Sequence, residues 1–284
     1  MGIIFYIILN DVYISKKEIA KKTDLAPSPV TALTKDLINY GYIYETKCNN
    51  NNKKGPGRPP IELKVNNDSY TAIGVEIGAH FYKIGIIGLA VKIIDVEVIN
   101  FNPELEPELV LDKINQSIED KKKILFNNNI KLIGIGISAP GLVDHKKGII
   151  HYSPNLNWHN IDIISFFKQY QTSPIILDNN VNLMAIGEKW FGELQSQDSI
   201  LFIHIGTGVG CAIILANDGI LRGDADGAGE LGHITLNPDG PLCGCGKNGC
   251  LEALISDKNI IDEFKNMIDN NSNTYNTDDI VKLA

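Results

Sequence analysis

The stretch between residues 229 and 256, GELGHITLNPDGPLCGCGKNGCLEALIS, constrains the fold of this chain more than any other. It carries one histidine and three cysteines in a short span, namely His233, Cys243, Cys245 and Cys250. One imidazole and three thiolates can close a tetrahedral shell around Zn²⁺ and leave no open position for a catalytic water. The spacing therefore predicts structural zinc, which would hold separate parts of one glycine-rich loop together. Reduced cysteines without a ligand are the alternative.

Composition and charge indicate the broad class of the protein. A chain of 284 residues, 44% hydrophobic and 21% charged, is typical of a soluble globular protein with one large or two ordinary domains. The apolar run at residues 3–9 is too short to span a bilayer and lacks the flanks of a signal peptide. These features predict a cytoplasmic protein with no membrane partner.

The net charge of −8 is unevenly distributed. Residues 1–65 hold ten basic and six acidic side chains, a balance of +4, and the remainder has a balance of −12. This asymmetry favours a basic module that meets an anion, joined to an acidic body that does not. A chance excess of charge is the alternative.

Residues 15–41 have the pattern of two short helices joined by a tight turn. A capping box begins at Ser15 and opens the first helix. Ser28 is expected to cap the second helix, with Pro29 as its first residue, and Gly41 is expected to end it. This pattern predicts a helix-turn-helix, whose second helix enters a major groove.

A hairpin with a basic tip follows the two helices. Short strands at residues 42–44 and 61–63 flank a polar turn, and GPGRPP at residues 55–60 suits a phosphate backbone or a minor groove. Residues 1–65 are therefore predicted to form a winged helix-turn-helix that is all-α with a small β wing and binds operator DNA. The residues expected to contact DNA are Ser28, Thr31, Thr34, Lys35, Lys53, Lys54 and Arg58. A helical pair that only packs against the body is the alternative.

The rest of the chain predicts an α/β body of two similar lobes. A strand, a glycine turn and a second strand occur twice, near residue 78 and near residue 208. Such internal repetition indicates a duplicated unit. Glycine turns can bind phosphate through backbone N–H groups, although they are more often only tight turns.

Several ordered segments resemble the ROK family of repressors and sugar kinases. They are the segment with the clustered cysteines, GIGISAPGLVD at 134–144, SPNLNW at 153–158, DNNVN at 178–182 and GTGVG at 206–210. The resemblance implies an actin/hexokinase-like (ribonuclease H-like) fold, with a first lobe at residues 66–184 and a second at 185–284. The N-terminal module resembles that of the repressor branch, and xylose repressors in particular. Family chains continue further, so the second lobe is expected to be incomplete.

The resemblance also implies a sugar pocket. The residues that match the family's sugar-binding positions are Asn155, Asn179, Asn180, Glu230, His233 and Glu252. His233 would have two roles, with one ring nitrogen on zinc and the other directed toward a sugar hydroxyl.

Two positions depart from the family's kinases. Where the kinases have a catalytic aspartate this chain has Asn180, and a carboxamide cannot take a proton from a sugar hydroxyl at neutral pH. The first phosphate turn, DxGGT in the kinases, reads EIGAH at residues 76–80 and is followed by Phe81, whereas the turn at 206–210 keeps the kinase form. We therefore expect no enzymatic activity.

These departures favour a homodimeric, sugar-responsive repressor of carbohydrate genes, with xylose as the expected effector. An ATP-dependent sugar kinase of the glucokinase type is one alternative. A fragment that folds poorly and has neither function is another.

Overall fold

The computed structural model describes residues 2–11, 14–47, 61–67, 69–216, 219–224 and 226–267, together with residues 277 and 280. The predicted wing tip, with Lys53, Lys54 and Arg58, lies outside the described residues. In the part of the chain that is described, no helix combines the length and the apolar character needed to cross a membrane.

The N-terminal domain has the predicted winged helix-turn-helix order. Its elements are α1 (Gly2–Asn10), α2 (Lys16–Thr23), α3 (Pro27–Asn39), β1 (Ile43–Lys47) and β2 (Ile61–Val65). The two strands pair antiparallel, with Ile43 opposite Val65. Buried side chains from every element, such as Ile4, Ile19 and Leu37, form one core. The helices therefore keep their relative positions because they bury a common apolar cluster.

Local signals set the ends of α2 and α3. The capping box at Ser15 is present, since its side chain accepts the Glu18 N–H and the Glu18 carboxylate accepts the Ser15 N–H. The prediction that Ser28 caps α3 is wrong. Ala26 is the cap residue, without a side-chain hydrogen bond, and the helix begins at Pro27. A proline in the first turn already has a helical φ and lacks only an N–H that would be unpaired there.

Gly41 ends α3 as predicted. Its φ of 79° lies in the left-handed region, where glycine has no steric penalty. Its N–H donates to the Ile38 carbonyl, and the Tyr42 N–H donates to the Leu37 carbonyl. These bonds satisfy carbonyls that the helix end would otherwise leave unpaired.

The first lobe is built on a five-stranded sheet with the order β10-β6-β3-β4-β5. Its strands are β3 (Tyr70–Ile77), β4 (Phe81–Gly88), β5 (Ile93–Asn100), β6 (Lys131–Ala139) and β10 (Ile175–Asn179). Strands β3, β4 and β5 are antiparallel, whereas β6 and β10 run parallel to β3. Helices α4 (Pro107–Asn127) and α5 (Ile163–Lys168) bury their apolar side chains against this sheet in one cluster.

A small antiparallel sheet lies between β6 and β10 in the sequence. It consists of β7 (Leu142–Asp144), β8 (Ile149–Ser153) and β9 (Trp158–Asp162). Its Trp158 and Ile150 are buried in the same cluster as the main sheet. The small sheet is therefore fixed to the first lobe.

The second lobe contains a three-stranded antiparallel sheet. Its elements are β11 (Ile200–Ile205), β12 (Val209–Leu215) and β13 (Gly219–Ile220), with helices α6 (Asn180–Phe191), α7 (Leu251–Ile255) and α8 (Asp257–Met267). The expected lobe boundary after residue 184 falls inside α6. That helix begins at the edge of the first sheet, and its Ala185 packs on Ala212 of the second. On β11, Leu201, Ile203 and Ile205 are exposed.

Candidate functional site

A cavity of about 580 Å³ lies where the two lobes meet. The parallel strands β3, β6 and β10 end beside it, and the carboxyl edge of parallel strands is where open α/β sheets bind ligands. The turn after β3 and the turn between β11 and β12 both line it. All six residues expected from the family resemblance line this cavity: Asn155, Asn179, Asn180, Glu230, His233 and Glu252.

Most hydrogen-bonding positions of the Asn179 side chain are used within the chain. It caps α6, because its Oδ1 accepts the N–H groups of Val181 (2.8 Å) and Asn182 (3.3 Å). Its Nδ2 donates to the Gly141 carbonyl at 2.9 Å. One amide hydrogen is left for a ligand. Asn179 therefore joins the start of α6 to the loop that follows β6 at the cavity wall.

Asn180 is less completely satisfied. Its Nδ2 donates to the Ile77 carbonyl at 3.2 Å, across the end of β3. Its Oδ1 is buried and has no hydrogen-bond partner among the described residues. A buried acceptor without a partner costs about 1–3 kcal/mol.

Glu230 and His233 face each other at the cavity. The Glu230 Oε2 lies 3.7 Å from the His233 Nε2. Partial burial is the main reason that the pKa of Glu230 is raised; the imidazole of His233 opposes the rise, and the Glu252 carboxylate adds to it. The carboxyl group of Glu230 and the imidazole of His233 thus lie side by side at the cavity wall.

Glu252 ties α7 to the second glycine turn. Its Oε2 accepts the Val209 N–H at 3.0 Å. A Cβ on Gly208 would lie 2.6 Å from that oxygen, so glycine is what allows the carboxylate to approach the turn. The backbone N–H of Val209 is therefore already bound to an acidic side chain.

The cysteine cluster converges as the spacing predicts. One ligand atom from each of His233, Cys243, Cys245 and Cys250 lies within 4.8 Å of the others, so the group could hold a metal ion. The Cys243 Sγ is 3.5 Å from the His233 Nδ1, and the sulfurs of Cys245 and Cys250 are 3.7 Å apart. Zinc–sulfur bonds of about 2.3 Å give tetrahedral sulfur–sulfur edges of about 3.8 Å, so these residues fit zinc.

The loop around the cluster depends on Gly249. Its φ is 64°, and a Cβ there would overlap the carbonyl oxygen of Asn237. The Nδ1 of His233 faces Cys243, which leaves Nε2 on the side of Glu230. The role expected for the second nitrogen of His233, a contact with a sugar hydroxyl, stays a prediction.

The first glycine turn is filled by its own side chains. A Cβ on Gly78 would lie 2.6 Å from the ring of Phe81, so this ring covers the turn. Glu76, which stands where the kinases' DxGGT turn has its aspartate, pairs with Lys83 at 2.9 Å across β3 and β4. Sequence reasoning missed Lys83, although a lysine opposite an acidic residue on a predicted hairpin is a usable signal.

An ion network that sequence reasoning also missed joins the two lobes. Arg222, after β13, donates to both carboxylate oxygens of Asp178, the penultimate residue of β10, at 2.9 and 2.6 Å. Asp226 lies 3.9 Å from Arg222 and 2.9 Å from the Nδ1 of His145 in the first lobe. Burial opposes ionisation of Asp178, but Arg222 and the Asn179 N–H outweigh it and lower the Asp178 pKa. The sequence contains two arginines, Arg58 and Arg222. Because arginine is well suited to bind a carboxylate with two hydrogen bonds, Arg222 could have been singled out from the sequence as the partner of an acidic residue.

Three of the four predicted DNA contacts on α3 lie on its open face. Ser28, Thr31 and Lys35 are exposed. The prediction for Thr34 is wrong, because its side chain is fully buried and its hydroxyl donates to the Val30 carbonyl at 2.8 Å. Its position on the helix turns it toward the domain core, beside Leu37.

Comparisons with known proteins agree with this architecture. A model described as winged helix-turn-helix DNA-binding matches residues 3–44, and a model of the ROK family matches residues 72–284. The xylose repressor of Caldicellulosiruptor bescii is 33% identical over 261 residues, which are 92% of this chain and 64% of that repressor. This chain therefore spans less than two thirds of that relative.

Two solved structures represent both branches of the family. The structure of a ROK family transcriptional regulator, a homologue of the E. coli MLC protein, superposes on this chain with a TM-score of 0.80 at 28% identity. The match covers 98% of this chain and 71% of the regulator's chain. A ROK family glucokinase from Streptomyces griseus, in complex with glucose and AMPPNP, gives a TM-score of 0.63 at 30% identity over 70% of this chain and 61% of its own. The regulator resembles this chain over both domains, whereas the kinase covers less of it.

Proposed function

The chain belongs to the ROK family, and from that premise we propose that it is a sugar-responsive, DNA-binding transcriptional repressor of carbohydrate-utilisation genes. The observation that carries the proposal is the joining of a winged helix-turn-helix to a cavity lined by carboxamides and carboxylates. Groups of this kind bind the hydroxyls of a sugar. Similarity to proteins named xylose repressors favours xylose as the effector.

We propose that the cavity binds its sugar without phosphorylating it. Asn180 has no basic group to accept the hydroxyl proton. Lys83 pairs with Glu76, which stands where the kinases' first phosphate turn, DxGGT, has its aspartate. Phe81 covers the first glycine turn, and Glu252 occupies the Val209 N–H of the second. Side chains of the chain itself thus contact both turns that would hold a nucleotide's phosphates.

The sugar contacts follow from the free atoms of the cavity wall. We propose that Asn155, Asn180, Glu230 and Glu252 bind sugar hydroxyls. A metal bound at the Nδ1 of His233 would fix the orientation of the ring and direct its Nε2 toward the sugar. Asn179 would offer one amide hydrogen. Zinc at His233, Cys243, Cys245 and Cys250 would have a structural role, because four protein ligands leave no site for a reacting water.

The DNA contacts are proposed for the open face of α3 and for the wing. Ser28 and Thr31 would reach base edges, and Lys35 would meet a phosphate. Lys53, Lys54 and Arg58 are proposed to contact the backbone or the minor groove. A homodimer would place two α3 helices in major grooves one helical turn apart or a multiple of it.

Fluorescence anisotropy of labelled DNA from upstream of the gene tests the proposal. The titration is run at fixed physiological salt, with and without D-xylose, D-glucose or N-acetyl-D-glucosamine, because salt alone changes such affinities. We expect specific binding that one sugar weakens by at least about tenfold. A parallel coupled assay with ATP should show no sugar-dependent ADP release. Sugar-insensitive DNA binding, or turnover above a control without protein, would refute the proposal.

A further inference from the structure

We propose that His145 and Arg222 are positioning residues that tie the two lobes together and set the width of the cavity before a ligand enters it. His145 acts through Asp226, and Arg222 acts through Asp178. These four side chains are called the interlobe clamp. The inference rests on the proposed function, because it describes how the cavity is kept ready for a sugar.

The inner link of the interlobe clamp joins the end of β10 in the first lobe to the second lobe. Arg222 donates to both carboxylate oxygens of the buried Asp178, and a guanidinium fork on a carboxylate fixes direction as well as distance. The Asp178 Oδ1 also accepts the Asn179 N–H at 2.8 Å and the Asn182 Nδ2 at 3.3 Å. Arg222 is therefore connected to the segment that presents Asn180 to the cavity.

The outer link joins the second lobe to the small sheet of the first. His145 lies in the turn between β7 and β8, and its Nδ1 is 2.9 Å from the Asp226 Oδ1. Because an ionised carboxylate can only accept a hydrogen bond, the imidazole nitrogen is the donor. The same Asp226 oxygen lies 3.9 Å from the Arg222 guanidinium. The inner and outer links thus meet at one carboxylate.

The segment that carries both links also leads to Glu230. The Ala228 N–H donates to the Arg222 carbonyl at 2.9 Å, which brings the two ends of the segment together. Asp226 has a left-handed φ of 53°, a conformation that is unfavourable for most residues with a side chain. Contacts of its carboxylate with the first lobe help to hold that conformation. Because Glu230 follows directly, its position depends on these contacts.

The interlobe clamp therefore controls the spacing of two cavity walls. Asn180 stands two residues after Asp178, and Glu230 stands four residues after Asp226. A ligand that contacts both walls binds only molecules whose walls are correctly spaced, so its apparent affinity falls with the fraction of such molecules. His145 is not among the described residues that line the cavity, so its effect on a ligand is indirect.

Isothermal titration of the zinc-loaded 284-residue chain with D-xylose, D-glucose and N-acetyl-D-glucosamine tests the inference. We expect a sugar that binds the wild type to bind His145→Ala about fivefold or more weakly, and Arg222→Gln at least as weakly. His151→Ala is the matched control, because the His151 imidazole lies 3.7 Å from a carboxylate of its own lobe, that of Asp144. The control should keep its affinity within about twofold of wild type. Equal affinities of wild type and His145→Ala would overturn the inference.

A conservative variant separates the contact from a general effect of the substitution. His145→Gln keeps an N–H donor for Asp226 and should recover most of the affinity that His145→Ala loses. Without such recovery, the loss would not arise from the contact with Asp226, and the outer link would be wrong.

Hydrogen exchange measured by mass spectrometry tests the interlobe clamp without any sugar. In His145→Ala, the backbone amides of residues 226–231 should exchange faster than in wild type, whereas those of α4 should exchange at the wild-type rate. An equal increase in α4, or no increase at residues 226–231, would overturn the inference. A local increase in a protein whose wild type binds none of the three sugars would support the clamp and refute the sugar response.

Discussion

Replacing Arg222 with glutamine should lower the free energy of unfolding by about 2–3 kcal/mol. The guanidinium makes two hydrogen bonds to Asp178, at 2.9 and 2.6 Å, and the two side chains are 21% and 10% exposed. Hydrogen bonds to charged groups in such partly buried sites are worth about 1.5–3 kcal/mol, and removing one partner leaves the other desolvated. For a body of this size the melting temperature should fall by about 5–10 °C.

The stabilisation by the pair of Asp178 and Arg222 should depend on pH. The pKa of Asp178 is lowered in the folded protein, so its pair with Arg222 stabilises the fold above the unfolded-state pKa of about 3.9. That contribution is lost as the pH falls through the folded-state pKa. The advantage of wild type over Asp178→Asn should therefore be constant from about pH 5 to pH 8 and shrink below about pH 4.

Thermal melts followed by circular dichroism would measure both effects. The double variant Arg222→Gln/Asp178→Asn completes a thermodynamic cycle and isolates the coupling between the two side chains. Lys123→Ala removes an exposed pair with Asp120 at 2.8 Å and should produce no resolvable shift. A melting temperature for Arg222→Gln within a degree of wild type, or a double variant that shows no coupling, would refute the reasoning.

Three further outcomes can be checked with single substitutions. Thr31→Ala should change the order of affinities for different DNA sequences, measured by anisotropy competition. Thr34→Val should leave that order unchanged, because the Thr34 side chain is buried. The reverse result would contradict the assigned open face of α3. Elemental analysis should find one zinc per chain in the wild type and none in Cys245→Ser, whose melting temperature should also be lower; full zinc content in the variant would remove this residue from the ligand set. Tyr70→Phe deletes the hydrogen bond from the Tyr70 hydroxyl to the Tyr40 carbonyl (2.6 Å). Anisotropy with and without effector should show that this change weakens the sugar response more than it weakens DNA binding without sugar. Equal loss of both would contradict this prediction.

The N-terminal domain was predictable where the signals were local. The capping box at Ser15 and the left-handed Gly41 are each determined by a few neighbouring residues, and both predictions are confirmed. The start of α3 was misplaced because Pro27 and Pro29 both suit the first turn of a helix. Thr34 was misassigned although it lies four residues after Val30 and three before Leu37, a spacing that places it on the buried face of α3.

The cavity was predictable in its residues but only in part in its chemistry. The resemblance to a known family identified the lining side chains. It did not reveal that Asn179 is used as a helix cap or that Lys83 pairs with Glu76. Asp178 and Arg222 are 44 residues apart in sequence, and their contact depends on how the two lobes meet. No local pattern contains that information.

The position of β3 gives a physical route between the cavity and the DNA-binding domain. At its start, the Tyr70 ring lies 4.8 Å from that of Tyr42, and its hydroxyl binds the Tyr40 carbonyl. At its end, the Ile77 carbonyl accepts the amide of Asn180 at the cavity wall. The strand is hydrogen-bonded to β4 on one side and to β6 on the other, so both of its ends belong to one sheet. We propose that a sugar with different affinities for two lobe arrangements would shift both ends of β3 together, and that the shift would reach the helix-turn-helix at the Tyr40–Tyr70 contact.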